Sequence, residues 1–150
     1  IDVRCEAYVT LKDFSDLNAD LVRDGKKPYA DARSMISGSI RQADPIVAAR
    51  RPLRLFCHDA GFWVERVTMP EQHDAVMDQF REWHLPVVEH GQKLTGVAVY
   101  QNYATNMLKI KNTTPYEIDG VVYKLNNMRE REKMGETSRA PRWAVAQKFS

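Results

Sequence analysis

Cysteine is scarce in this chain. Cys5 and Cys57 are its two thiols, and no metal-ligand spacing surrounds either. Two such residues imply no disulfide framework, and a reducing, cytoplasmic setting is expected. Long apolar runs are missing as well. No stretch approaches the roughly 20 apolar residues of a membrane-spanning helix, and the N-terminus carries no signal-peptide pattern, so no membrane partner is expected. Net charge is also small, +2 in total.

What is present is ordinary in amount and uneven in placement. With 150 residues, 43% of them hydrophobic and 28% charged, the chain can bury one respectable core, and residues 1–150 are read as one domain or one large piece of a domain. Between Arg33 and Arg54 five arginines face Asp44 alone, and residues 129–148 carry six cationic side chains against three acidic ones. The remainder is net acidic. Positive charge concentrated on a mildly acidic background suits phosphate binding better than general stickiness, although a solvated arginine-rich surface has the same composition.

The chain starts on an alternating strand: Ile1, Val3, Cys5, Ala7 and Val9 share one face, while Arg4, Glu6 and Tyr8 share the other. Thr10 is placed to cap a helix over residues 11–23, with Phe14, Leu17 and Leu21 on its inner side. In the stretch Tyr29–Pro45, small residues permit close approach of a backbone. Arg33 and Arg41 lie eight apart there, a spacing that puts both on nearly the same face of a helix, where two guanidinium forks could meet one phosphate. A packing helix with solvent-facing arginines is the alternative. Leu53, Leu55 and Cys57 mark a strand, with residues 62–67 as its antiparallel neighbour. His58 beside Cys57 has no second ligand pair, so no metal site is assigned. Thr68–Glu71 reads as a capping box opening a helix to about Trp83, which makes His73 and His84 surface or edge residues. Leu85–Val88 reads as a short strand. Thr95 then caps a helix carrying Tyr100, Tyr103, Met107 and Leu108 inward.

The most informative stretches come last: Glu117-Ile-Asp-Gly-Val-Val-Tyr-Lys124 and Thr137-Ser-Arg-Ala-Pro-Arg-Trp-Ala-Val-Ala-Gln-Lys-Phe149. Physically they are two β-rich runs around a short helix of residues 128–134, capped by Asn126 or Asn127 and ended by Gly135. Lys124 and Lys148 close the two apolar runs. A lysine on an otherwise buried strand needs an anionic partner. A nucleotide phosphate would serve, and so would a structural carboxylate. Asp119 and Lys124 are five apart, so a regular strand would send them to opposite faces. If both serve one cleft, Asp119 must sit on a bend made possible by Gly120.

These two stretches resemble nucleotidyltransferase motifs of the NAD-dependent, bacterial-type DNA ligases. The resemblance reaches back through Arg33–Pro52 to Val3-Arg-Cys-Glu6, nearly the whole chain. It implies an α+β fold: a nucleotidyltransferase (ATP-grasp-like) core of antiparallel sheets with peripheral helices, incomplete at the N-terminus. The implied activity is sealing of nicked double-stranded DNA through enzyme-adenylate and DNA-adenylate intermediates, with NAD and Mg²⁺ as cofactors; zinc belongs to a part of the family not seen in this chain. The resemblance assigns Asp119, Lys124 and Lys148 to catalysis, and Glu6, Lys124 and Lys148 to the nucleotide. Arg33, Arg41, Lys111, Arg139 and Arg142 are assigned to DNA or nick phosphate. The sequence departs from the family pattern at Cys5, Ser34 and Lys111, where glycine, asparagine and arginine are usual. The family's nucleophilic Lys-x-Asp-Gly motif does not occur, so the chain is expected to need the remainder of a ligase and to be inactive alone. A non-catalytic nucleotide- or DNA-binding module, a split-enzyme subunit, and an ATP-dependent or capping-type nucleotidyltransferase are the alternatives.

Overall fold

The computed structural model describes residues 1–61, 63 and 68–149. Strand β1 (Val3–Tyr8) leads into helix α1 (Leu11–Arg23), whose cap is the expected one: the Thr10 hydroxyl oxygen accepts from the Asp13 N–H at 3.0 Å. Helix α2 (Ala32–Ile40) begins at Asp31, whose carboxylate accepts from both the backbone N–H and the hydroxyl of Ser34, at 2.7 and 2.9 Å. Ser34, one of the departures from the family pattern, is thereby engaged in a helix cap. A one-turn helix α3 (Pro45–Ala49) follows, capped by Asp44, and then strand β2 (Arg54–Ala60) returns antiparallel to β1. Met35 is fully buried with Val9 and Ala32, and Phe14, Leu17 and Leu53 pack around them, joining α1 and α2 to one end of this sheet.

The β1–β2 register shifts between Arg4 and Cys5, so that Arg4 faces Asp59 while Cys5 faces Cys57. His58 is the extra residue of this irregularity, and the sheet bends there. Helix α4 (His73–Glu82) covers the sheet through Val76 and Phe80, which pack on Cys57 and Ala60. The expected start of this helix at Thr68–Glu71 is not observed. Residues 71–73 are instead held extended against the residues preceding α6 (Met128–Met134): Gln72 bridges Asn127, the His73 N–H donates to the Asn126 carbonyl at 2.8 Å, and the Met128 N–H donates to that of Glu71 at 2.9 Å. Tertiary pairing has overridden the local capping signal. The strand expected at Leu85–Val88 is reduced to one bridge, Cys57 to Val87. The hairpin partner expected at residues 62–67 lies, apart from Trp63, outside the described residues.

Helix α5 (Val97–Ile110) starts after Gly96, at φ 94°. It buries Ala104 and Met107, while Tyr100 and Leu108, both expected inside, remain exposed. Ala104 and Met107 form a third small core together with Val121. Strand β3 (Gly120–Lys124) pairs antiparallel with β4 (Ala144–Lys148), Gly120 opposite Lys148 and Lys124 opposite Ala144. Asn127 caps α6 and Gly135 ends it at φ 64°, both as expected. The molecule is thus α+β, and among the described residues it has two antiparallel two-stranded sheets with helices packed around them. No helix among the described residues is long and apolar enough to cross a membrane.

Candidate nucleotide groove and its lysines

Residues distant in sequence meet along one groove of about 670 Å³. Strand β1 contributes Glu6 and Tyr8, α2 contributes Arg33 and Ser37, β2 contributes Phe56, and the segment before β3 contributes Tyr116, Asp119 and Gly120. Tyr8 and Phe56 stack face to face, 4.2 Å between ring centroids and 3° from parallel, and Tyr116 meets both rings edge-on at 5.0 and 5.2 Å. This aromatic wall combines stacked and T-shaped contacts, both favoured by ring quadrupoles.

The polar side is built around Asp119, which lies just outside β3; the expected bend is not observed there, and its carbonyl accepts from the Phe149 N–H at 2.9 Å in continuation of the β3–β4 ladder. Its carboxylate accepts from Lys148 Nζ at 2.7 Å, and Arg33 Nη2 stands 3.9 Å away. The hydrogen bond from Lys148, reinforced by both positive charges, holds the Asp119 pKa below the usual carboxylate range. All three side chains are more than half exposed, so this cluster contributes little to stability and remains open to exchange its partners for a ligand. Gly120 makes the approach possible: a Cβ there would press into the Gln147 carbonyl oxygen and the Lys148 backbone.

Lys124 lies elsewhere. Its Nζ donates to the Asp59 carboxylate at 2.9 Å and to the His58 carbonyl at 2.7 Å, with His58 Nδ1 at 3.2 Å. Asp59 is 3% exposed and also receives Arg131, whose Nη1 stands 3.3 Å from Oδ2. The Arg131 guanidinium is fixed further by the Leu125 carbonyl and by the Trp143 ring, 4.4 Å beneath it. His73 Nδ1 is 3.8 Å from Asp59 and has no hydrogen-bond partner; Arg131 Nη2 is likewise buried without one. Burial pulls the Lys124 pKa down, and Asp59 opposes that loss. Burial also raises the Asp59 pKa, but the neighbouring Lys124 charge and hydrogen bond outweigh it and hold the carboxyl below its ordinary value. His73, desolvated and beside Arg131, falls to about 4 and is neutral. Two cations therefore share one buried carboxylate.

Of the two partners a strand lysine could take, a structural carboxylate is what the structure gives to each. For Lys124 it is buried Asp59, and for Lys148 it is exposed Asp119. The β3–β4 ladder nevertheless relates the two lysines: Gly120, Val122 and Lys124 share a face with Ala144, Ala146 and Lys148. They stand at opposite ends of that face, about 13 Å apart for four strand positions.

Glu6, Arg33, Asp119 and, through Asp119, Lys148 are brought together. Arg41 closes α2 and bonds the Ser37 hydroxyl, away from Arg33. Lys111 follows α5; Arg139 lies within the turn in which the Thr137 N–H donates to the Ala140 carbonyl at 2.9 Å and Arg142 lies just after it, both exposed. Asp59, Arg131 and His73 were not legible as site residues. Asp59 carries no site signal in the sequence and His73 was expected at the surface or an edge; the one usable signal was the unmet demand of Lys124 for a counter-ion. No cluster of three metal-ligating side chains occurs among the described residues.

An aromatic-walled groove flanked by a carboxylate and two exposed cations has the chemistry of a site for a small aromatic anion. Comparison with known proteins gives that class its family. The family model described as the NAD-dependent DNA ligase adenylation domain matches residues 1–150. A DNA ligase of Nitrosococcus oceani is 36% identical over 149 residues, and one of Dichelobacter nodosus is 39% identical over 153 residues. Each match covers 99% of this chain and 22% of the relative. The chain belongs to the NAD-dependent DNA ligase adenylation domain family, and it spans about a fifth of the length of these curated relatives.

Proposed function

We propose that the chain is part of an NAD-dependent DNA ligase (EC 6.5.1.2) with a nucleotidyltransferase core, and that its groove takes the adenylate half of NAD. The observation that carries this reading is the convergence of Glu6, Arg33 and Asp119, from three separate parts of the chain, on one groove, with Lys148 bonded to Asp119. The fit is chemical: a volume within the range of small-ligand sites, rings to lie against a base, and cations at the end where a phosphate would sit. NAD supplies the adenylyl group that passes to a lysine outside this chain and then to the 5′-phosphate of a nick.

The chain's own residues do the following work. Glu6 accepts hydrogen bonds from the nucleoside. Arg33 and Lys148 hold phosphate oxygens, where negative charge grows during transfer and preplaced cations lower the barrier most. Asp119 orients Lys148. It is also the groove carboxylate suited to Mg²⁺, which takes one or two carboxylates together with phosphate oxygens. Lys124 is a second nucleotide contact on the same ribbon face, reached by exchanging Asp59 for the ligand. Arg41, Lys111, Arg139 and Arg142 position nicked duplex DNA through its phosphates. The remainder of the ligase is the other partner, and the setting is cytoplasmic DNA replication and repair.

The test is reconstitution with the remainder of the ligase. Lys148→Ala and Lys124→Ala should each abolish nick sealing while leaving simple DNA binding largely intact. Sealing at wild-type rates by either variant would refute the assignment. The chain alone, incubated with labelled NAD and Mg²⁺, should form no covalent AMP adduct, because it contains no Lys-x-Asp-Gly motif.

A further inference from the structure

We propose that Cys5 and Cys57 form a modification site, a cross-strand thiol pair that a hydroperoxide converts reversibly to a disulfide at the edge of the groove. The two sulfurs stand 3.5 Å apart on directly opposed residues of β1 and β2. The Cys57 N–H points away from β1 and donates to the Pro86 carbonyl at 2.6 Å. That orientation makes Cys5 and Cys57 a non-hydrogen-bonded pair, the closer of the two antiparallel spacings, with Cα atoms about 4.5 Å apart. This separation falls within the range a disulfide spans, so a small rotation of the two side chains brings the sulfurs to bonding distance without moving the strands. The inference does not depend on what the groove binds.

The environments of the two thiols differ and set the order of events. Cys5 is exposed and lines the groove beside Glu6. Cys57 is buried against Val76 and Phe80, and that burial, with the Cys5 contact second, pushes its pKa up to about 11. It therefore stays a protonated thiol, shielded from solvent oxidants. The Cys5 sulfur attacks a peroxide oxygen, the O–O bond breaks, and hydroxide leaves to become water, giving a sulfenic acid. The Cys57 sulfur then attacks the Cys5 sulfur; the S–S bond forms, the S–O bond breaks, and a second water departs with the Cys57 proton. Two thiols are oxidised to one disulfide, and hydrogen peroxide is reduced to two waters. A dithiol returns the pair to the reduced state by exchange.

The experiment treats dilute chain with hydrogen peroxide, alkylates it under denaturing conditions and measures intact mass and linked peptides. The expected product is monomer lighter by about 2 Da, resistant to alkylation at both cysteines and restored by dithiothreitol. The Cys57→Ser variant should instead gain oxygen at Cys5, and Cys5→Ser should stay unmodified at low peroxide. If wild-type chain gains oxygen at Cys5 while Cys57 remains alkylatable, or if it links only between chains, the pair is not a disulfide site. That result needs no variant to fold.

Discussion

Replacing Asp59 by asparagine tests whether the buried Lys124–Asp59–Arg131 cluster is held together by charge. Asp59 is 3% exposed, and the Arg131 and Lys124 side chains are 4% and 17% exposed. Removing one partner of a buried ion pair costs about 3–5 kcal/mol, because the remaining charge is stranded in a poorly solvating interior. Two features place this site at the lower end. Arg131 keeps the Leu125 carbonyl and the Trp143 ring, and Lys124, its pKa already lowered by burial, can release its proton and keep the His58 carbonyl. A loss of about 3 kcal/mol is expected, a large share of the 5–15 kcal/mol typical of a folded domain. At about 2–4 °C per kcal/mol for a chain of this size, the midpoint should fall by roughly 6–12 °C. Urea unfolding followed by circular dichroism at pH 7 measures the free-energy loss, and a thermal scan measures the midpoint. A double-mutant cycle with Lys124→Met should return a coupling of at least about 1 kcal/mol. A loss below about 1 kcal/mol with no coupling would show that the contact is no stronger than a surface pair and that the reasoning about burial is wrong.

Three further outcomes are expected. The folded-state pKa of His73, about 4, lies below its ordinary 6.5. Stability should therefore fall as pH drops through that window, by up to about 3 kcal/mol, while the unfolded chain takes up a proton the folded chain refuses; His73→Gln should flatten the dependence in denaturant titrations from pH 7 to 4. Gly120→Ala should cost about 1–3 kcal/mol, because the added Cβ meets backbone that cannot step aside; faster amide exchange along β3 and β4 would report it. Lys148→Ala, which removes an exposed pair, should shift stability by less than about 1 kcal/mol yet weaken AMP binding measured by calorimetry on the reconstituted ligase. Unchanged affinity would remove Lys148 from the site.

Period-2 and period-3.6 patterning made β1, α1 and the capped α6 legible because each element satisfies its own local chemistry: Thr10 and Asn127 cap in the structure as their neighbours dictate. The start of α4 was not legible. The competing partner of its first residues is the Asn126–Met128 segment, more than fifty residues along the chain, and no local signal encodes that pairing. Cys5 illustrates the same limit, since alternation placed it inside while the sheet leaves it exposed and only its sulfur reaches Cys57. For the site, motif wording brought Glu6, Arg33 and Asp119 forward, and all three line the one groove. Lys124 was expected beside them, and its counter-ion Asp59 could not be read because it comes from another sheet.

The shared face of the β3–β4 ribbon has a consequence for errors in folding. Sliding one strand past the other by a single residue would turn its whole set of side chains over, so Lys124 or Lys148 would point the wrong way and the two would no longer look in one direction. Gly120, wedged against Gln147 and Lys148, penalises such a slip by admitting one alignment only. The smallest residue in the ribbon thus acts as its proofreader, keeping two distant positive charges in step.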